Sequence, residues 1–160
     1  MFDIILITVG KLKEQFYISA AHEYSKRLKA YCNFQIIELP EAHLVDDPSP
    51  AEIRNALAKE AELILSKIPK GAWFCVFTPE GTLLSSEEMA DKFKQVKISG
   101  KSKACFLIGS SFGIADSVKK CADFKLSMSP MTFPHHLARV MVLEQIYRAE
   151  AIQAGSKYHK

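Results

Sequence analysis

The chain has 160 residues, of which 48% are hydrophobic and 24% are charged, and its formal net charge is +3 at pH 7. These values are ordinary for a globular protein with a real core, so we expect one domain over residues 1–160 and exclude a disordered or fibrous chain. A charge this small permits an anionic partner but does not demand one.

The first half of the chain predicts strands that alternate with helices. β-branched runs predict the strands, and apolar residues three and four apart predict the helices. Ser49 and Pro50 are residue types that favour the cap and the first turn of a helix. In chain order we expect a strand over 4–9, a helix over 14–28, a strand over 34–39 and a helix over 50–68.

The second half continues this alternation. Thr78–Gly81 predicts a turn after the third strand, and Ser85 or Ser86 is expected to cap the next helix. Thr132 is a possible cap for the last helix, ahead of Pro134. In chain order we expect a strand over 73–77, a helix ending near 96, a strand over 104–108, a short helix, a weak strand over 124–126 and a helix over 134–152.

This alternation predicts an α/β fold with a mostly parallel sheet and helices on both faces. Ligands of such folds bind outside the carboxyl ends of the strands. The segments that follow those ends are Gly10, Thr78–Gly81, Gly109–Gly113 and Ser127–Phe133. In the last of them, Met131 and Phe133 predict an apolar wall of a pocket.

The final helix is apolar on nearly all sides. Such a helix must be covered on all sides, and a second copy of the chain is a plausible cover, which predicts a homodimer. Arg139 and Arg148 interrupt the apolar pattern. They are expected either to pair with Glu144 and Glu150 or to bind an anion.

Other motifs limit the kinds of site. Gly109–Gly113 lacks the third glycine of the dinucleotide fingerprint, so a flexible turn and a cofactor loop are equally consistent with it. His135 and His136 are adjacent and do not share one helix face, and the four cysteines form no Cys-x-x-Cys pair. No apolar run is long enough to span a membrane. We therefore expect a cytoplasmic protein that uses neither a metal nor a membrane.

The chain ends on Tyr158, His159 and Lys160, which have little apolar area to bury. Chain ends are usually disordered, and that is the simplest interpretation. A histidine that titrates near neutrality can also serve as an acid, a base or an RNA contact. The residues alone leave both interpretations open.

Seven segments of the chain point to one family. They are Val9–Glu14, Glu23–Leu28, Phe106–Gly109, Leu126–His135, Ala138–Val140, Leu143–Ala149 and Tyr158–His159. Together they resemble the ribosomal RNA large-subunit methyltransferase H family, which belongs to the knotted SPOUT methyltransferases. The resemblance covers essentially the whole chain. It implies a C-terminal trefoil knot, a homodimer, S-adenosylmethionine as methyl donor, and as target the imide nitrogen N3 of a pseudouridine in the large-subunit rRNA of assembled ribosomes.

The resemblance also implies which residues form the site. The implied cofactor-binding residues are Phe77, Gly109, Met128, Ser129, Pro130, Met131, Thr132 and Phe133. The implied catalytic tail is Tyr158 and His159, which would complete the site of the neighbouring protomer. Loss of the imide proton needs a base or a nearby cation, for which His159 ranks first, followed by the guanidinium of Arg139 or Arg148. Ser110 departs from the family, which usually has a glycine there.

Two other functions remain open at this level. A nucleotide-dependent enzyme such as a dehydrogenase would bind a nicotinamide cofactor. A non-catalytic RNA-binding module would bind RNA in a salt-sensitive way and ignore S-adenosylmethionine. Residues 11–29 and 91–103 each carry five cations and few carboxylates, which fits either a solvated helix face or a surface that faces phosphates.

Overall fold

A computed structural model describes residues 1–159, and Lys160 lies outside the described residues. Its five strands form one parallel sheet in the order β2-β1-β4-β3-β5. The elements are β1 Asp3–Val9, α1 Gln15–Leu28, β2 Asn33–Leu39, α2 Pro50–Lys67, β3 Trp73–Leu83, α3 Ser86–Ile98, β4 Lys103–Ile108, α4 Asp116–Lys119, β5 Phe124–Ser127 and α5 His135–Gln153. The predicted α/β fold with a parallel sheet is confirmed.

Helices cover both faces of this sheet, as predicted. Successive side chains of a strand point to opposite faces, so β1 sends Ile4 and Leu6 into one core and Ile5 and Ile7 into the other. Helices α1, α3 and α5 pack on the first core, and α2 and α4 pack on the second. A strand buried on both faces must be apolar throughout, which explains the continuous run in β1.

Serine caps begin two of the long helices. The Ser49 hydroxyl accepts the Glu52 N–H at 3.2 Å, and Ser85 accepts the Glu88 N–H at 3.1 Å. Both glutamates accept the backbone N–H of their serine in return, which completes two capping boxes. The predictions for these helix starts are confirmed. The expected cap at Thr132 is wrong, because α5 begins after Pro134 without a side-chain cap.

The prediction of a turn at Thr78–Gly81 is wrong, because β3 continues through these residues and ends at Leu83. Phe77 and Thr82 both align with Leu126 of β5, so the residues between them form an irregular bulge within the strand. Gly81 is required there, because a Cβ atom on it would lie 2.6 Å from the Leu126 carbonyl carbon. Pairing with β5 therefore overrides the local turn signal.

The same chain supplies most of the cover for α5. Every residue from 135 to 153 is buried or half-buried, with α1 and α3 on its two sides. Leu143 and Ile146 have no exposed surface, whereas Val140 and Met141 are half-buried. The all-round apolar pattern thus reflects burial within the protomer as well as any contact with a second copy.

Candidate cofactor and catalytic site

Three of the predicted cofactor segments meet at the carboxyl end of the sheet. Strand β3 lies between β4 and β5, so the loops after β4 and β5 flank Phe77, the last residue of β3 before its bulge. Neighbouring strands are about 4.8 Å apart, which places the starts of these two loops about 10 Å apart. Phe77, Gly109 and Met128 therefore lie near one another at the carboxyl end of the sheet.

Gly109 opens a tight turn that has no room for a side chain. The Gly113 N–H donates to the Ser110 carbonyl oxygen at 2.9 Å, and Gly113 adopts a φ of +99°. A Cβ atom on Gly109 would lie 2.5 Å from both the Gly113 carbonyl oxygen and Ile114 Cγ1. Any larger residue at position 109 would therefore distort the turn itself.

Serine hydroxyl groups fold the loop that follows β5. The Ser127 hydroxyl donates to the Ser129 carbonyl oxygen at 3.3 Å, and the Met131 N–H donates to the Ser129 hydroxyl at 3.0 Å. Met128 and Phe133 are half-buried, and Met131 is 74% exposed. The loop thus has a defined shape and presents apolar side chains at the edge of the sheet.

These segments fit an adenosine-bearing cofactor. Phe77, Met128 and Phe133 offer half-buried apolar area for a flat ring system. The Gly109 turn beside them exposes residues 111–113, whereas Gly109 itself is buried. In residues 1–159 no group of three or more His, Cys, Asp or Glu side chains is arranged to hold a metal ion.

Arg139 is buried and paired, contrary to the placement expected of a group that contacts substrate. Its side chain is 2% exposed, donates to Glu38 Oε2 at 2.8 Å and donates to the Gly10 carbonyl oxygen at 2.9 Å. Burial lowers the pKa of the guanidinium, although Glu38 opposes that shift. Arg139 thus ties α5 to the ends of β1 and β2.

The C-terminal tail packs on its own protomer rather than fraying. The Tyr158 hydroxyl donates to Glu144 at 3.0 Å, and its ring stacks edge-on against Tyr147 at 4.8 Å between centroids. The Arg148 guanidinium lies 4.7 Å from the centre of the Tyr158 ring. Burial and the neighbouring Glu144 raise the pKa of Tyr158, so its phenol stays protonated and acts as a donor.

Both ring nitrogens of His159 have partners. Arg148 Nη1 lies 3.1 Å from Nδ1, and Glu87 Oε1 lies 2.7 Å from Nε2. Because a guanidinium can only donate, Nδ1 is assigned as the acceptor and Nε2 as the proton-bearing atom. The histidine lowers the pKa of Glu87. Sequence reasoning missed Glu87 as a partner of the tail because no motif marks it.

The other predicted residues have less direct roles. Arg148 pairs with Glu144 at 2.7 Å, as predicted, whereas Glu150 pairs with Lys97 rather than with an arginine. His135 is half-buried, and burial together with His136 lowers its pKa.

None of the helices within residues 1–159 has the length and apolar character needed to cross a membrane.

Two surface cavities lie at opposite ends of the strands. One of about 600 Å³ is lined by residues at the amino ends of β1, β2 and β4, including Asp3, Asn33 and Lys103. One of about 360 Å³ lies at the carboxyl end, between residues 41–45 and Phe112 of the glycine turn. The smaller cavity lies at the end of the sheet where parallel folds bind ligands, but none of the predicted cofactor residues lines either cavity.

Comparisons with known proteins agree along nearly the entire chain. A family described as "Predicted SPOUT methyltransferase" matches residues 2–159. The ribosomal RNA large subunit methyltransferase H of Bacillus pumilus is 45% identical over 158 residues, which cover 99% of each chain. The protein of the same name from Acetivibrio thermocellus is 43% identical over 157 residues, which cover 98% of this chain and 99% of that one.

Solved structures show the same fold at much lower sequence identity. A probable methylase family protein from Haemophilus influenzae superposes with a TM-score of 0.52 and 17% identity, covering 99% of this chain and 70% of that one. A tRNA methyltransferase from Aquifex aeolicus superposes with a TM-score of 0.53 and 13% identity, covering 91% of this chain and 69% of that one. These two similarities establish the architecture alone.

Proposed function

The chain belongs to the SPOUT methyltransferase family, among the ribosomal RNA large-subunit methyltransferases H, and from this premise we propose that it methylates N3 of a pseudouridine in large-subunit rRNA with S-adenosylmethionine as donor. The observation that carries the proposal is the convergence of Phe77, the Gly109 turn and residues 128–133 at one edge of the sheet. This convergence occurs in a chain that aligns end to end with rRNA methyltransferases.

In the proposal, residues of this chain mainly bind and align the reactants. S-adenosylmethionine, when bound, supplies a methyl group on a sulfonium, which is already a strong electrophile. Phe77, Met128 and Phe133 would hold the adenosine part, and the backbone at Gly109 would border it. Alignment of two bound reactants can by itself supply several kcal/mol of rate enhancement. No metal is needed for such a transfer.

The tail would place the target nucleotide. Tyr158 offers a ring for stacking on a base, and Arg148 holds both Tyr158 and His159. Arg148, which is about a quarter exposed, can stabilise the imide anion that forms when the proton leaves, whereas Arg139 is buried. We therefore assign Arg139 a structural role. His159 remains the candidate proton acceptor, provided that Arg148 releases Nδ1.

We further propose a homodimer in which the tail completes the partner's site. Within residues 1–159, the hydrogen bonds of Tyr158 and His159 go to α3, α5 and Ser156, and none goes to the 109–113 or 128–133 loops of the same chain. The half-buried strip of α5 around Val140 and Met141 is the natural contact surface for a second copy.

The knot and the ribosome belong to the same proposal. The 77–82 bulge lies so close to the backbone of Leu126 that only glycine fits at position 81, which is a contact between paired strands. The knot is proposed from family membership alone. Residues 1–159 form a single sheet with its helices and include no second unit that could bind RNA, so we propose that a scaffold presents the substrate to them. An assembled ribosome in the cytoplasm provides one.

Calorimetry with S-adenosylmethionine tests the proposal against its rivals. We expect saturable binding by the wild-type protein and weaker binding by Phe133→Ala, with unchanged affinity in Leu65→Ala, which alters an exposed residue of α2. Gly109→Val is not a clean test, because the new side chain would collide with Gly113. Binding of a nicotinamide dinucleotide instead would favour a dehydrogenase. RNA binding without any response to S-adenosylmethionine would favour a non-catalytic module.

A further inference from the structure

A buried carboxyl group on α2 connects two loops at the carboxyl end of the sheet. Glu60 is 4% exposed. Its Oε2 atom accepts the Ala42 N–H at 2.9 Å, and its Oε1 atom accepts the Ser110 hydroxyl at 3.0 Å. Ala42 belongs to the loop after β2, and Ser110 belongs to the glycine turn after β4. Neither the family motifs nor the proposed chemistry gives Glu60 a role.

We propose that Glu60 is a positioning residue that fixes the glycine turn 109–113 relative to loop 40–45 and thereby sets the geometry of the cofactor site. The inference rests on the proposed function only where it concerns the cofactor. Each carboxylate oxygen serves one loop, so a single side chain fixes the distance between the two. Ala42 and Phe112, one from each loop, also line the same cavity of about 360 Å³.

Stability alone does not account for a carboxyl group at this position. Burial of a carboxylate is unfavourable unless hydrogen bonds or an opposite charge compensate it. No cationic group within residues 1–159 lies at salt-bridge distance from Glu60. Burial raises the pKa of Glu60, and the two hydrogen bonds only partly oppose that shift. An apolar side chain would avoid this penalty but would leave both loops unattached.

A fixed Ser110 also fixes Gly109, because the turn moves as one unit. Ser110 and Gly113 are bridged by their backbone, and Gly109 lies directly against Gly113 and Ile114. The hydroxyl of Ser110 is therefore not a neutral replacement for the glycine usual in the family. It provides the donor through which α2 holds the turn.

The test compares Glu60→Ala, Glu60→Gln and the matched control Glu62→Ala, which removes an exposed carboxylate two residues away on the same helix. Amide hydrogen exchange reports the order of segments 40–45 and 109–113, and calorimetry reports affinity for S-adenosylmethionine. Glu60→Ala should speed exchange in both segments and weaken cofactor binding about tenfold, because two hydrogen bonds are lost. Glu60→Gln can still accept from Ala42 and donate to Ser110, so affinity should return to within about threefold of wild type. Glu62→Ala should match wild type.

Ser110→Ala separates the two connections without altering α2. It should speed exchange in 109–113 while loop 40–45 keeps its wild-type rate. Faster exchange across α5 as well, or equal losses in Glu60→Ala and Glu60→Gln, would show a general structural role and overturn the inference. Wild-type cofactor affinity in Glu60→Ala would overturn it too. If the wild-type protein itself fails to bind S-adenosylmethionine, the proposed function fails, while the exchange data still decide whether Glu60 couples the two loops.

Discussion

Replacement of Glu38 by alanine is expected to destabilise the protein more than replacement of Arg139 by methionine, although Glu38 is the more exposed partner. The side chain of Arg139 is 2% exposed and that of Glu38 is 39% exposed. Glu38→Ala would leave a buried guanidinium with only the Gly10 carbonyl oxygen as acceptor. Arg139→Met would instead leave a glutamate that water can reach.

The magnitudes follow from these environments. Removal of one partner of a buried ion pair costs about 3 kcal/mol when the charge left behind is buried, so we expect about 3 kcal/mol for Glu38→Ala. Arg139→Met loses the hydrogen bonds to Glu38 and to Gly10. Water can replace the first at Glu38, whereas the second is worth about 1 kcal/mol, and the substitution also removes the Nε atom, which is buried without a partner. Methionine retains the apolar packing of the arginine stem. The expected difference between the two variants is about 2 kcal/mol.

Urea unfolding followed by circular dichroism measures this difference directly. A difference of about 2 kcal/mol in the free energy of unfolding corresponds to a difference of about 4–8 °C in Tm for a chain of this size. The exposed pair Arg27–Glu23 provides the control, because Glu23→Ala should leave the unfolding midpoint unchanged. Arg139→Met should also retain methyl transfer within about tenfold, since the guanidinium is structural.

Two results would refute this reasoning. An equal or larger loss of stability in Arg139→Met would show that the guanidinium contributes more than its hydrogen bonds account for. A folded Arg139→Met variant that binds S-adenosylmethionine normally but transfers no methyl group would return Arg139 to the catalytic residues.

Three further predictions address the dimer, the tail and the pH dependence of stability. Met141→Glu should convert a dimer into a folded monomer in sedimentation experiments, and a wild-type protein that is already monomeric at micromolar concentration would contradict the proposed interface. Deletion of residues 158–160 should lower Tm only slightly and leave cofactor affinity unchanged, yet reduce methyl transfer by orders of magnitude; full activity would show that the tail is dispensable. Lys119 and the Thr78 hydroxyl lower the pKa of Glu80 from 4.5 to about 2, so these contacts add stability above pH 4.5 that is lost as the pH falls towards 2. Glu80→Gln should flatten that part of the stability curve, and an unchanged slope would assign the acid sensitivity to other carboxyl groups.

Local signals in the sequence were sufficient for most elements of the fold. The apolar run of β1 indicates burial on both faces, and Ser49 and Ser85 mark helix starts because their caps use residues only three positions away. Features that depend on distant partners were not accessible in this way. Arg139 pairs with Glu38, 101 positions earlier, and the bulge in β3 depends on pairing with β5.

The site was predictable in part for the same reason. The rule for parallel sheets indicates that loops at strand ends bind ligands, but it does not give the strand order that places β3 between β4 and β5. The pattern of α5 correctly indicated that this helix has no exposed face, yet it could not show that α1 and α3 lie against it. The residue types of the tail left both a frayed end and a functional role open, and only the resemblance to a family favoured a catalytic role for Tyr158 and His159.

Methylation of intact ribosomes tests the central claim most directly. Purified protein and S-adenosylmethionine with an isotopically labelled methyl group would be incubated with ribosomes that lack the modification, and with ribosomes that also lack pseudouridine in the large-subunit rRNA. Mass spectrometry of the digested nucleosides would then locate the label. We predict labelled N3-methylpseudouridine in the first sample and no labelled nucleoside in the second. Label on uridine in the second sample, or on a nucleoside other than pseudouridine in the first, would contradict the account.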